Sequence, residues 1–106
     1  MALEDRHQKA ARNQSLFREV NERIDQLALG GEIEFVCECM DLECSETVVM
    51  ARAEYSAVRE NPHAFSIRPG HENHEIERVI DRRPRYLVVE KLGTGRLVAQ
   101  TLDPRS

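Results

Sequence analysis

The chain has 106 residues and a formal net charge of -4, with 32% charged residues and 41% apolar residues. This length fits one domain, and the negative charge disfavours a generic nucleic-acid binder, which normally carries a basic face. No apolar run approaches the roughly 20 residues that a membrane span needs, and the N-terminus lacks the basic-then-apolar order of a secretory signal, so we expect a cytoplasmic protein.

The first predicted element is an amphipathic helix from about Ser15 to Leu29. Apolar residues recur there at three- and four-residue steps, with Glu and Arg on most other positions. The glycines at positions 30 and 31 supply the expected stop. Residues 1–14 are polar, and we favour a disordered arm there over a frayed extension of the helix. Residues 15–106 are expected to form a single domain. The apolar stripe of the helix comprises Leu16, Val20, Ile24, Leu27 and Ala28, and Phe17 widens it.

The remaining segments alternate between strand and helix patterns. Residues 32–39 alternate apolar and polar side chains, and 47–50 predict the returning strand of a hairpin. Residues 51–60 predict a short helix that ends before Asn61-Pro62. Strands are predicted at 64–67, 76–81, 85–92 and 96–102, the last three as an antiparallel meander. The fold class is therefore α+β, with an N-terminal amphipathic helix, a zinc knuckle on a β-hairpin, a short second helix and a C-terminal β-meander.

Three cysteines lie close together in the pattern C-x-C-x4-C. Alternate side chains of a strand share a face, so Cys37 and Cys39 point to the same side, and the following turn brings Cys44 back over them. Three thiolates around one point are typical of a zinc site. An odd number of cysteines cannot form a closed disulfide set, whereas a reducing compartment suits thiolate ligands.

The fourth ligand must come from elsewhere in the chain. His71 is the best candidate, because the preceding Pro-Gly pair lets the backbone turn and restricts its approach. His74 is second, His63 is third, and His7 lies too far out on the polar arm. We therefore predict a closed, structural three-cysteine, one-histidine (Cys₃His) zinc site. Its ligands are Cys37, Cys39, Cys44 and His71.

Other interpretations of the cysteines stay open. They could be free structural thiols or a redox switch, whereas an iron–sulfur cluster usually demands four cysteines. A catalytic zinc would need an open coordination position, with Glu72 as a base, and no substrate pocket is evident around it. Arg78, Arg82 and Arg83 are candidate partner-binding residues on the predicted hairpin. Acidic residues interleave with them, which favours a solvated face with cross-strand ion pairs.

Several motifs occur together in this chain. They are the Phe-Val-Cys-Glu-Cys run at 35–39, Asp41, Cys44, the helix at 54–59, Pro69-Gly70-His71-Glu72, and the Arg-Tyr-Leu-Val-Val-Glu-Lys run at 85–91. Together they resemble a family of small, largely uncharacterised actinobacterial proteins over about residues 12–91, although Met40 stands where a glycine is expected. The resemblance implies a bacterial cytoplasmic protein in which His71 is paired with the cysteines, and it implies no biochemical activity.

These observations favour a zinc-binding regulatory or adaptor protein without catalysis. We expect it to act by contact with another cytoplasmic protein, and we expect no membrane, nucleic-acid or small-molecule partner. The alternative is a thiol-based redox or metal sensor that releases zinc on oxidation.

Overall fold

A computed structural model describes residues 3–105 of the chain. It contains three helices and five strands over that range, and it confirms the α+β class. Within these residues no helix is long and apolar enough to cross a bilayer. In chain order the elements are α1 (Leu3–Leu27), β1 (Glu32–Val36), β2 (Thr47–Ala51), α2 (Arg52–Arg59), β3 (Ala64–Ile67), β4 (Glu77–Arg82), β5 (Leu87–Lys91) and α3 (Gly95–Thr101).

The strands form two antiparallel sheets. Strands β1 and β2 make a hairpin, with Phe35 opposite Val48. The second sheet has the order β3-β5-β4, so β5 is its central strand. The predicted hairpin of β4 and β5 is present, with an irregularity between Val79 and Asp81. However, the third strand of this sheet is β3, and the C-terminal segment that was expected to complete a meander takes no part.

The predicted strand at 96–102 is wrong, because this segment forms helix α3 and packs against α1. Both neighbours of β5 are already occupied by β3 and β4, which leaves no place for another strand beside it. The start of α3 approaches α1 closely. A Cβ atom on Gly95 would lie 3.0 Å from the carbonyl oxygen of His7, so glycine permits this contact.

The prediction of a disordered arm over residues 1–14 also differs from the structure, which has helix from Leu3 onward. Residues 1 and 2 lie outside the described part. Several side chains of the expected arm are buried, including Ala11 and Gln14 at 0% exposure. His7 is anchored through Nδ1, which lies 2.8 Å from the carbonyl oxygen of Leu92. Tertiary contacts with the segment before α3 thus order a stretch whose own composition is polar.

Helix α1 buries its polar face. The stripe residues Leu16, Val20 and Leu27 are 55%, 46% and 81% exposed, whereas Ile24 packs against the core. Most of the buried polar side chains of α1 are hydrogen-bonded or ion-paired to other elements, which offsets the cost of removing them from water, whereas the buried Ser15 hydroxyl has no hydrogen-bond partner among the described residues. The partnered side chains include Gln14, Arg18, Asn21, Glu22 and Asp25.

Two apolar clusters make up the core. The first lies between the β1–β2 hairpin, α2 and β5, and it includes Phe35 and Tyr55, whose rings stack with centroids 4.4 Å apart. The second lies around β3 and β5 and includes Phe65, Cys37 and Cys39. The predicted cysteine segment therefore lies inside the molecule, at the end of the second cluster.

Candidate metal centre

The segment after β1 places two thiols side by side in the interior. Cys37 and Cys39 are 1% and 3% exposed. The segment is held between the two sheets, because the N–H of Cys37 donates to the carbonyl of Glu46 and the N–H of Glu38 donates to the carbonyl of Ser66. These extended contacts preserve strand-like alternation beyond the end of β1. Both thiols therefore face one side, and the Glu38 carboxylate faces the other.

A tight turn returns the third thiol to the same place. The N–H of Cys44 donates to the carbonyl of Asp41 at 3.1 Å, and the N–H of Glu43 donates to the Asp41 carboxylate at 2.9 Å. An Asp side chain that bonds to the backbone two residues later is a common way to fix such a turn. Cys44 is half-buried, so it lies at the outer side of the thiol group.

A second turn supplies His71 from the other side. Gly70 has φ of 95°, a conformation that glycine adopts without strain, and the N–H of His71 donates to the carbonyl of Arg68. The N–H of Gly70 also donates to the Glu72 carboxylate at 2.7 Å. These contacts direct the imidazole toward the thiols. Its Nδ1 lies 3.5 Å from Sγ of Cys37 and 3.6 Å from Sγ of Cys44.

The four side chains together could hold one metal ion. One ligand atom from each of Cys37, Cys39, Cys44 and His71 lies within 4.8 Å of the other three. A tetrahedral zinc ion with bonds of ~2.3 Å to sulfur and ~2.05 Å to nitrogen separates those two ligand atoms by about 3.6 Å. Both measured sulfur-to-nitrogen distances agree with that value.

Burial disfavours the charged thiolate form of the two inner cysteines. Burial raises the pKa of Cys37 and of Cys39 above the ordinary thiol range. Contacts with the backbone N–H groups of Arg68 and Cys39 oppose this effect at Cys37 and lower its pKa, and the larger contribution comes from Arg68, whose N–H lies 3.3 Å from the sulfur. A divalent metal cation is the partner that would compensate three clustered thiolates, since it brings two positive charges among them.

The other three histidines are placed elsewhere. His7 bonds to the carbonyl of Leu92, and Nε2 of His63 lies 3.1 Å from the side-chain oxygen of Gln100. His74 does not belong to the metal-ligand group found among residues 3–105. The geometry thus selects His71, which the sequence ranked first, from the candidate histidines.

The acidic residues around the centre mostly serve other contacts. Glu46 lies 3.5 Å from the guanidinium of Arg68 in an exposed ion pair. Glu72, considered as a catalytic base, accepts a bond from the Gly70 N–H, and backbone hydrogen bonds lower its pKa. A carboxylate fixed in this way supports the turn that carries His71. Glu38 is buried on the opposite face of the segment.

The arginines of the β4–β5 hairpin are not part of this centre. Arg78 pairs with Glu90 at 2.8 Å, and Arg83 pairs with Asp81 at 2.9 Å, with both guanidinium groups largely exposed. Such surface pairs contribute little to stability and leave the side chains at the surface. A role for Arg78, Arg82 and Arg83 in partner binding stays a prediction.

The hydrogen-bond donors that hold the cysteine segment from behind were not predicted from the sequence. They come from α1, α2 and β3, and they meet at the Glu38 carboxylate, which is 0% exposed. The alternation of residues 32–39 places Glu38 opposite the thiols, which was the only sequence signal for this arrangement. The supporting residues are Asn21, Tyr55 and Ser66.

No known protein family, curated protein or solved structure matches the chain. The resemblance to small actinobacterial proteins therefore stays a prediction, and the functional argument depends on the geometry of the site.

Proposed function

We propose that this protein binds one zinc ion through Cys37, Cys39, Cys44 and His71, as a structural centre. The observation that carries the proposal is the convergence of the four ligand atoms within 4.8 Å, with sulfur-to-nitrogen distances that fit tetrahedral zinc. Three thiolates and one imidazole suit zinc better than the hard cations, which prefer oxygen ligands.

A structural role is favoured because four protein ligands complete a tetrahedron. A catalytic zinc normally keeps one position open for water or substrate. The carboxylate next to His71 in the sequence, Glu72, is bonded to the backbone of the turn. The buried position of two thiols in an apolar cluster is also typical of a site that stabilises a fold.

We propose that the protein acts as a regulatory or adaptor protein through contact with another cytoplasmic protein. The exposed apolar stripe of α1 supports this role, because Leu16, Val20 and Leu27 lie on one side of a long helix. Exposed apolar residues along one face of a helix are a surface to test for contact with another protein. The hairpin residues Arg78, Arg82 and Arg83 are a second surface to test.

A redox or metal sensor is the alternative. It is favoured by one observation: Cys44 and His71 are half-buried and belong to loops, so an oxidant could reach the outer part of the centre. Oxidation of a thiolate would remove a ligand and release the metal.

Metal analysis with matched histidine variants tests the centre itself. Protein purified without added metal should contain about one zinc per chain, as should His74→Ala, whereas His71→Ala should bind zinc more weakly. Equal zinc retention in the two variants would refute the ligand assignment. Brief treatment with dilute peroxide then separates the roles. Stoichiometric zinc release would favour the sensor, and retained zinc would favour the structural centre.

The adaptor role needs its own experiment. Proteins captured from a lysate by the zinc-loaded wild type should be lost when Leu16 and Leu27 are replaced by glutamine. The triple charge reversal of Arg78, Arg82 and Arg83 to glutamate tests the hairpin in the same way. Partners that remain bound to both variants would refute these two surfaces as the docking sites.

A further inference from the structure

The side chain between the two inner cysteines has an unusual position for a carboxylate. Glu38 is fully buried, and its oxygens accept hydrogen bonds from three different elements. Asn21 of α1 donates through Nδ2 at 2.8 Å, and the hydroxyl of Tyr55 in α2 donates at 3.0 Å. The backbone N–H of Ser66 in β3 donates at 2.9 Å. One side chain thus connects the cysteine segment to α1, α2 and β3.

Asn21 holds the same segment at the residue before Cys37. Its Oδ1 accepts the N–H of Val36 at 2.8 Å, and its Nδ2 donates to the carbonyl of Val36 at 2.9 Å. This pair of bonds resembles the pairing that a neighbouring strand would supply. Asn21 is itself 0% exposed, so its orientation is fixed by these contacts.

We propose that Glu38 and Asn21 are positioning residues that fix the directions of the Cys37 and Cys39 thiols. The proposal rests on the metal-binding function proposed above. In an extended segment the backbone determines where each Cβ points, so restraints at positions 36 and 38 determine where the two sulfur atoms lie. Contacts that orient metal ligands from behind commonly change metal affinity when they are lost.

Position 38 requires an acceptor at both side-chain oxygens, because the Asn21 amide N–H contacts one oxygen of Glu38 and the Ser66 backbone N–H contacts the other. A carboxylate is an acceptor on both oxygens, whereas the amide of glutamine presents one acceptor and one donor group. Glu38→Gln would therefore set an NH₂ group against either Asn21 Nδ2 or the Ser66 N–H. Asn21 cannot turn its amide around without losing both bonds to Val36. We expect the segment to shift and the thiols to move with it.

Cobalt(II) substitution measures this shift directly. The visible absorption bands of cobalt depend on the number and tetrahedral arrangement of its ligands, and at saturation they do not depend on affinity. Zinc-free wild type, Glu38→Gln and Asn21→Ala are titrated with cobalt to saturation, and zinc affinity is measured by chelator competition. We expect altered cobalt bands in both variants and a roughly 10–100-fold loss of zinc affinity.

Glu22→Gln is the matched control. Glu22, which lies in α1, is also a buried carboxylate, but it accepts hydrogen bonds from Arg59 and Arg105 and has no contact with the cysteine segment among those bonds. Its loss should lower stability, and with it the apparent affinity, while the cobalt bands at saturation stay those of wild type. An equal change of the bands in Glu22→Gln would overturn the proposal, since the change would then follow general destabilisation.

The remaining outcomes separate this proposal from the one on which it rests. Wild type that takes up no cobalt would overturn the metal-binding function and the positioning role together. Wild type with tetrahedral bands, and variants with the same bands and affinity, would overturn the positioning role alone. If Glu38→Gln does not fold even with metal, Asn21→Ala and the milder Tyr55→Phe decide the question by the same measurement.

Discussion

Replacement of Arg18 tests which face of α1 meets the core. Arg18 is 0% exposed, and its guanidinium donates to the carbonyl of Pro62 at 2.8 Å and to the carbonyl of Ala99 at 2.5 Å. It also lies 4.5 Å above the ring of Phe65. The bond to Ala99 reaches a carbonyl in the last turns of α3, where helix carbonyls lack partners within the helix. Arg18 therefore joins α1, α3 and the second cluster.

Arg18→Met should lower the free energy of unfolding by about 3 kcal/mol. A hydrogen bond from a charged donor contributes ~1.5–3 kcal/mol, and two are lost here. A desolvated cation over an aromatic ring adds about 1–2 kcal/mol. Two effects offset part of this sum: methionine keeps much of the apolar packing, and the substitution removes Nε, a buried donor with no partner among the described residues.

The matched substitutions are Leu16→Gln and Leu27→Gln on the exposed stripe of the same helix. Both should change the free energy of unfolding by no more than about 0.5 kcal/mol, as surface substitutions usually do. The assay is urea unfolding of zinc-saturated protein, followed by circular dichroism. A helix in the opposite orientation would give the reverse ranking, because loss of a buried leucine side chain costs about 2–5 kcal/mol. A larger loss in Leu16→Gln than in Arg18→Met would refute the polar interface.

Three further predictions concern the centre and the close contact of α3 with α1. Cys39→Ser should lose the cooperative melting transition as chelation does, because structural zinc contributes on the order of 10 kcal/mol; a native transition in the variant would refute this. Zinc affinity, measured by chelator competition, should fall as the pH is lowered from about 8.5. The reason is that burial raises the pKa of Cys37 and Cys39, so protons compete with zinc for the thiolates; an affinity independent of pH would contradict this prediction. Gly95→Ala should lower the melting temperature despite the higher helix propensity of alanine, because the new methyl group would lie 3.0 Å from the carbonyl oxygen of His7; a higher melting temperature would contradict this contact.

The sequence predicted whether most segments form helices or strands, but it did not predict which elements they pack against. The spacing of Leu16, Val20 and Leu27 predicts a helix, since it reports an amphipathic surface. It does not report which face is buried, because the ions that pair with the polar face come from distant parts of the chain. Arg59, for example, lies 2.9 Å from Glu22 and also pairs with Asp103. The prediction of a strand in place of α3 failed for a similar reason: the sheet positions were already occupied.

The four candidate metal ligands were easier to predict than the residues that hold the cysteine segment in place. Strand alternation placed Cys37 and Cys39 on one side, and the Pro-Gly pair before His71 predicted a turn. The pairing of His71 with the thiols was predicted from the need for a fourth zinc ligand and not from local rules. Asn21 and Tyr55 could not be connected with the cysteines in this way. They belong to two helices, and only the folded arrangement brings their donors to one carboxylate.

The position of Glu38 explains why the structural effect of metal loss should extend beyond the loops that carry Cys44 and His71. These two ligands lie in segments without regular structure, so an ion would restrict loops that are otherwise fixed by single turns. Cys37 and Cys39 belong to the second apolar cluster, whereas Tyr55, which donates to Glu38, belongs to the first. Movement of the cysteine segment would therefore break bonds that hold α1 and α2 to the sheets. The same carboxylate that orients the thiols thus links the metal centre to both clusters, and this link is the physical basis for expecting cooperative unfolding when zinc is removed.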